Sequence, residues 1–500
     1  MAGTNKKTST KKGVNLIQRR LPGHDVLSGE WEFFCKSYLG GLAYIDTNLF
    51  QYFKEGDEEF ARRKARAYRE NHCRRIVDLI NSYLFKKEAV RDTTNTLALA
   101  FHDNIDGKGK SIAQFMKIVS QWASVFGRIF IVVDKPKLPE EETTGTQKDN
   151  INPKAKPYCY VVFPQDVLDY SLDEYGDLKW ILIREYSRDD ESPFNHDNGI
   201  ETKYRLWMPG VCYLFNDKGI EIDTYDTGLK IVPILYVDNE AGGTYSGTSL
   251  LNDIAYLDRS IFNNWSRLDV IVNEQTFSQL IFPIEGLPPE IIEDTKLREK
   301  FLQLAVNRVI LYSASAGSPP AFISPDASQA DFILRMIERQ VKQLYSSLGM
   351  ENEVGEHTQQ ASGVAKAYDF DKLSKLLASK ADNLEEAETK INKIFSEWIS
   401  VPIEVITDYP DEFDVRSLAD ELAVATELVL LNISESFMKE VMKAVVRKAM
   451  PKLEDDTMKT IMDEIDAKSD PDETKERFDF DKTSNENKKP KGKPEDEDDE

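Results

Sequence analysis

A chain of 500 residues, 41% of them hydrophobic, is more than one hydrophobic core comfortably fills, so several domains or one elongated, layered subunit is expected. Cys35, Cys73, Cys159 and Cys212 stand apart without CxxC spacing, which argues against a disulfide framework or thiolate zinc site and points to a reducing cytoplasm. The net charge of −23 argues against gripping nucleic acid by matching cations to phosphates; a duplex meeting this surface should be repelled and guided.

Charge is unevenly spread. The first twenty residues carry Lys6, Lys7, Lys11, Lys12, Arg19 and Arg20 and no acid, whereas residues 451–500 hold 19 acidic against 10 basic side chains. Both ends read as solvated arms, residues 1–24 basic and 469–500 acidic. No apolar run reaches the ~20 residues that span a bilayer. The opening MAGTNKKTSTKKG lacks the apolar segment of a secretion signal, so neither a membrane span nor export by that route is expected.

From Asp25 to about Lys87 the pattern is helical, clearest where Ile76, Ile80, Tyr83 and Leu84 share a face. Ser111 caps a further helix that stops at Gly127, and RIFIVVD (Arg128 to Asp134) reads as a strand. After a polar loop at 135–157, runs at Tyr158–Phe163, Leu178–Tyr186, Thr202–Met208, Val211–Phe215 and Ile231–Val237, separated by glycine turns, predict an antiparallel region. Its aromatic residues Trp180, Trp207 and Tyr213 are expected in the core.

Leu250, Ile254, Leu257, Ile261, Trp265, Leu268 and Val272 advance by threes and fours and predict one helix from Thr248 to about Phe277. Prolines 283, 288, 289, 319 and 320 then bracket a compact insert ending in the strand-like VILY. A second striped helix follows from Asp326 to Leu348 (Phe332, Ile333, Met336, Ile337, Val341, Leu344, Tyr345). The segment MENEVGEHTQQASG, Met350 to Gly363, reads as a polar loop. A helix from Val364 to Ile399 carries Phe370, Leu373, Leu377, Leu384, Ile391, Ile394 and Trp398 at about 3.5 spacing and would reach ~54 Å. A strand within Pro402–Pro410 and three shorter helices to about Lys468 complete the ordered part.

Motifs for chemistry are few. NIDGKGKS (Asn104 to Ser111) with Asp134 behind it approaches a phosphate-binding P-loop, but Asn104 replaces the first glycine that motif requires. Ser111 reads as an ordinary cap. The five histidines, His24, His72, His102, His196 and His357, lie without metal-ligand spacing, and no GxSxG is present. Acidic clusters at Glu140–Glu142 and at Glu385, Glu386 and Glu388 read as solvated charge. No catalytic residue, metal or cofactor is expected. The polar loop can be a plain helix connection, or it can project into an opening, where Glu351, Glu353, Glu356, Gln359 and Gln360 would line a passage without holding a polyanion.

Taken in order, NHCRRIVDLINSYLFKKE, FGRIFIVVD, VVFPQDVLDYSLDEYGDLKWILIREY, YSGTSLLNDIAYLDRSIFNNWSRLD and ASGVAKAYDFDKLSKLLASKADNLEEAETKI resemble the portal proteins of tailed bacteriophages, especially the long, non-contractile-tailed type, over roughly residues 30–465. The resemblance implies an α+β portal fold. It comprises an α/β wing (25–246), stem helices (247–278 and 326–349), a small α/β clip (279–325), a tunnel loop (350–363), a long wing helix and strand (364–410) and a helical crown (411–468). It implies a homo-oligomeric ring, usually of twelve copies, at one capsid vertex of the virion, assembled in the host bacterial cytoplasm. Double-stranded DNA would pass through the channel, lined at the tunnel loop by Glu351, Asn352, Glu353, Glu356, His357, Gln359 and Gln360. The clip, with Glu285, Pro288, Glu290, Glu293, Lys296 and Arg298, would face the terminase large subunit and then the head-tail adaptor, and the ring would meet the major capsid protein and scaffold, with no membrane partner. A nucleotide-dependent packaging motor subunit built on Lys110, Ser111 and Asp134, or a portal-associated head structural protein, are the alternatives. The basic arm and acidic tail have no counterpart in the family.

Overall fold

The seven residues of β2 (Arg128–Asp134) are all buried, and the alternation of their side chains explains why two of the described cores meet at this strand. Ile129, Ile131 and Val133 face the helices, whereas Phe130 and Val132 face a second sheet, as the period of two in a strand requires. The computed structural model describes residues 13–136, 156–188, 200–240, 246–275, 279–284, 287–302, 309–313, 320–323, 328–350, 363–410 and 413, and in the C-terminal part 439, 440, 442, 443, 446 and 455–467. Residues 1–12 of the basic arm, the loop at 137–155, most of the expected crown and the tail from residue 468 lie outside the described residues, whereas residues 13–24 of the expected solvated arm are packed, with Ile17 and Leu21 buried and Arg19 paired to Asp169 at 2.8 Å. The chain divides into units Met1–Phe413 and Asp414–Glu500.

In the first unit, helices α1 (His24–Leu39), α2 (Leu42–Asn48), α3 (Asp57–Arg66) and α4 (His72–Leu84) precede a short strand β1 (Val90–Asp92), α5 (Thr96–Asp103) and α6 (Ile112–Phe126). Ser111 caps α6 in a capping box with Gln114, satisfying amides that the first turn leaves without partners. β2 is then the centre of a three-stranded antiparallel sheet, between β3 (Tyr158–Val162) and β9 (Ile234–Asp238).

Between β3 and β9 the chain forms a five-stranded antiparallel meander of β4 (Val167–Leu172), β5 (Leu178–Arg188), β6 (Ile200–Met208), β7 (Val211–Phe215) and β8 (Glu221–Asp226). Gly210 turns β6 into β7 at φ 81°, a conformation open to glycine but costly for a residue with a Cβ. Trp207 lies fully buried beneath this sheet, as expected. Trp180 and Tyr213 do not: both are half-exposed, and Arg19 lies over the Trp180 ring at 4.9 Å.

The helix expected from Thr248 is α7 (Asn252–Gln275), and the second striped helix is α10 (Ser328–Ser346). They pack side by side, with Asn264 donating to Gln340 and Gln340 donating to Ser260, each at 3.0 Å. Two stripe residues depart from expectation: Val272 is 49% and Phe332 is 69% exposed. Both lie toward the insert, beyond the buried contacts made by Ile261, Ile337 and Leu344. The insert contains β10 (Gln279–Pro283), α8 (Pro289–Glu293), α9 (Thr295–Leu302), β11 (Ile310–Tyr312) and β12 (Ala321–Ile323). Its sheet runs β11-β10-β12, parallel then antiparallel, and α8 and α9 supply the crossover that parallel neighbours need.

α11 (Gly363–Ile399) is 37 residues long, about 55 Å at 1.5 Å per residue, and its stripe Leu373, Leu377, Leu384, Ile391 and Ile394 enters the main core. Glu388 on this helix corrects the solvated reading: its side chain is fully buried and paired with Arg91. It falls four residues after Leu384 and three before Ile391, so helical geometry turns it inward. β13 (Ile406–Asp408) pairs antiparallel with β1. In the second unit, α12 (Asp455–Ala467) is described, with Lys443 paired to Asp466 at 2.6 Å and to Glu440 at 3.1 Å.

Candidate functional site: a helical hairpin, its insert and its anchorage

The α7–α10 pair is held at its base by neighbours of opposite charge. Asp258, wholly buried on α7, pairs with Arg69, whose guanidinium sits 3.6 Å from the Tyr44 ring centroid. About two and three turns further along α7, Arg63 donates to Ser266 and pairs with Glu55 at 2.7 Å, and Arg66 meets Asp269 at 2.6 Å. Removing one member of such a buried pair leaves an uncompensated charge, so α7 is fixed firmly at this level.

The entry to α7 runs against the end of α6. Leu250 N donates to Ser124 O, Ser249 Oγ to Val125 O at 2.6 Å, and Asn239 N to Gly127 O at 2.8 Å. A Cβ on Gly127, whose φ is +86°, would come within 2.7 Å of Ser249 N; the close passage therefore requires glycine. Lys380 of α11 reaches the same joint. Its buried Nζ donates to Ser124 Oγ at 2.9 Å and to Asn239 Oδ1. Burial, only partly opposed by Glu240, brings its pKa down to about 7, because a charged amine there has lost its water. The sequence reading missed Lys380, although it stands three residues after Leu377 and four before Leu384, at a stripe position.

Of the expected clip residues, Pro288, Glu290, Glu293, Lys296 and Arg298 are described and exposed. Glu290, Glu293 and Lys296 border an open recess with Asp294, Thr295 and Leu297. Asp294 caps α9 through the Lys296 amide at 2.8 Å, and within the insert Phe282 of β10 meets Phe301 of α9 edge-on at 5.4 Å. The structure thus brings three acidic and one basic expected or neighbouring side chains to one rim. Glu285 and the tunnel-loop residues Glu351, Asn352, Glu353, Glu356, His357, Gln359 and Gln360 lie outside the described residues.

The NIDGKGKS loop closes on its own side chains. Asp106 Oδ1 accepts from the amides of Lys108 (2.8 Å) and Lys110 (3.0 Å), Asp106 Oδ2 takes Lys110 Nζ (2.8 Å), and Asn104 Oδ1 accepts from Gly109 N (2.6 Å). Burial alone would raise the Asp106 carboxyl, but the Lys110 ammonium and these amides hold it at about 2. The donors that would cradle a phosphate are therefore engaged within the loop. Asp134 is buried against Arg205 at 3.2 Å; burial raises its pKa and Arg205 opposes the rise. His24, His72 and His102 are buried; His72 lies 3.3 Å from the Tyr345 hydroxyl and His102 2.8 Å from Asn392 Oδ1. Among the described residues no cluster of three or more His, Cys, Asp or Glu is placed to hold a metal, and no helix is long and apolar enough to cross a membrane.

No protein-family description and no curated protein matches this chain. Among solved structures it is similar to a chain in the neck of an empty gene transfer agent particle computed with C6 symmetry, with 11% identity and a TM-score of 0.37 over 76% of this chain and 90% of that one. It is also similar to a chain of the virion of a native gene transfer agent particle, with 11% identity and a TM-score of 0.38 over 72% of this chain and 86% of that one.

Proposed function

We propose that this chain is the subunit of a portal ring at one capsid vertex, through which double-stranded DNA is packaged and later released. One observation carries the reading: an antiparallel pair of long helices is capped at its far end by a small α/β insert and followed by a 37-residue helix packed into the main core. That order of parts suits a lever with a docking tip better than it suits an active-site cleft. In this reading α7 and α10 are the stem, residues 279–325 the clip, residues 350–363 the tunnel loop and the remainder of the first unit the wing. The ring is homo-oligomeric, of about twelve copies, a closed heterologous assembly.

The clip offers its mixed-charge rim to the terminase large subunit and then to the head-tail adaptor, while the wing meets capsid protein and scaffold. A surface with net charge −23 gives a polyanion little to adhere to, so a duplex slides while a separate motor consumes nucleotide. The chain itself catalyses nothing, in keeping with an NIDGKGKS loop whose amides are satisfied internally. Electron microscopy of the purified full-length protein tests the reading directly. Rings with an axial hole are the expected particles; monomers under every assembly condition would overturn it.

A further inference from the structure

Two exposed faces flank α7, and their chemistry is complementary. On one side stand α3 and the segment before it. Phe53 is 99% and Phe50 53% exposed. Arg259 on α7 lies 5.4 Å from the Phe50 ring and 5.1 Å from that of Tyr256, so the aromatic surface continues onto the stem helix. Next to Phe53, the first turn of α3 presents Asp57, Glu58 and Glu59, all exposed. Glu58 pairs with Arg62, whereas Asp57 and Glu59 meet no cation in the described ion pairs.

On the other side is the outer stripe of α10. Phe332, Arg335, Arg339 and Lys342 follow at steps of three and four and are all exposed, opposite the buried Ile337, Leu344 and Tyr345. Arg335 is taken by Asp331 at 2.8 Å; Arg339 and Lys342 meet no carboxylate in the described ion pairs. Each face is thus an exposed phenylalanine beside charges that enter no described ion pair, Asp57 and Glu59 on one and Arg339 and Lys342 on the other, with Lys54 and Glu338 the exposed charges of opposite sign nearby. They cannot meet within one chain, because α7 lies between them: Ser266 and Asp269 hold α3 while Ser260 and Asn264 hold α10.

We infer that these two faces are the two halves of one head-to-tail contact, in which the Phe53–Asp57–Glu59 surface of one copy receives the Phe332–Arg339–Lys342 stripe of a second copy of this chain. The assignment rests on the ring reading and gives it a specific interface. Large exposed apolar residues beside unpaired charge mark a surface built for a partner. Opposite signs on the two faces set the register and disfavour like-with-like pairing. Because the halves differ, every bound copy keeps one free half, so growth continues until rotation closes it.

The test uses two full-length variants and the wild type, followed by light scattering after size exclusion and by electron microscopy. The first, Phe53→Ser with Glu59→Ala, damages one face; the second, Phe332→Ser with Arg339→Ala, damages the other. Every altered residue is exposed, and circular dichroism checks that each variant is folded. With wild-type protein forming rings, each variant alone should show at least a tenfold smaller assembled fraction. An equimolar mixture should give a one-to-one dimer that grows no further, since each variant retains the half the other has lost. The charge swap Glu59→Arg with Arg339→Glu in one chain should restore assembly that either change alone removes. Variants that assemble like wild type, or a mixture that stays monomeric, overturn this interface and leave the ring reading standing. Wild-type protein that forms no rings overturns both.

Discussion

Arg91 grips both carboxylate oxygens of Glu388, at 2.8 and 2.6 Å, across 297 positions of sequence. The bond ties the β1–β13 ribbon to the middle of the 37-residue helix, and the Tyr409 hydroxyl donates to the same carboxylate. Charge burial of this kind is tolerated only while both partners are present.

Glu388→Ala should therefore destabilise the first unit by about 3–5 kcal/mol, the usual cost of stranding one buried partner. Chemical unfolding of the full-length protein measures it. Glu388→Gln, which keeps an acceptor for Tyr409, should cost less. Equal stability of Glu388→Ala and wild type would remove the pair from any structural role.

Lys380 predicts a pH dependence. Its pKa is lowered from 10.5 to about 7 in the folded chain, so between those values the unfolded state holds a proton that the folded state lacks. Stability must then rise with pH across that window, and the penalty is greatest below about pH 7. Lys380→Met should flatten this slope, even though it leaves Asn239 Oδ1 and Ser124 Oγ short of a donor. Thermal unfolding of both proteins at pH 7 and pH 10 reads the difference; parallel profiles would contradict it.

The NIDGKGKS loop allows a second test, in which stability again rises with pH but in an acid window. Asp106 titrates at about 2, below its ordinary 3.8, so its contribution is present above pH 3.8 and disappears as pH falls through 2. Asp106→Asn should loosen the loop at neutral pH, read as faster amide exchange at Lys108 to Lys110. Lys110→Ala should leave any nucleotide turnover of the preparation unchanged. Turnover that vanishes with Lys110→Ala would instead favour the motor reading.

Deleting Glu351 to Gln360 should impair packaging or retention of DNA while rings still form. Counting filled heads and imaging rings separates the two effects. Normal filled heads would deny the loop its assigned part.

Much of this architecture was legible because apolar residues recur at steps of three and four, as in Ile254, Leu257 and Ile261 or Ile337, Val341 and Leu344. The same periodicity contained what was overlooked. Lys380 and Glu388 occupy stripe positions of α11; Lys380 draws no notice in the sequence and Glu388 reads as solvated charge, whereas partners far away in sequence, Asn239 and Arg91, make their burial possible. Phe332 shows the converse: its hydrophobicity placed it on the inner stripe, while its helical phase turns it out. β8 was not anticipated because EIDTYD alternates acidic residues along an exposed sheet edge, where the usual hydrophobic signal is weak.

The pairing of Gln279 with Ile323 brings the departure and return of the insert side by side. Whatever lies between these two residues is a cassette: its entry and exit are fixed by a single ribbon rather than by its contents. Such a cassette can be exchanged wholesale while the helices beneath keep their register, leaving the tip free to diverge at a faster pace than the helical pair that carries it.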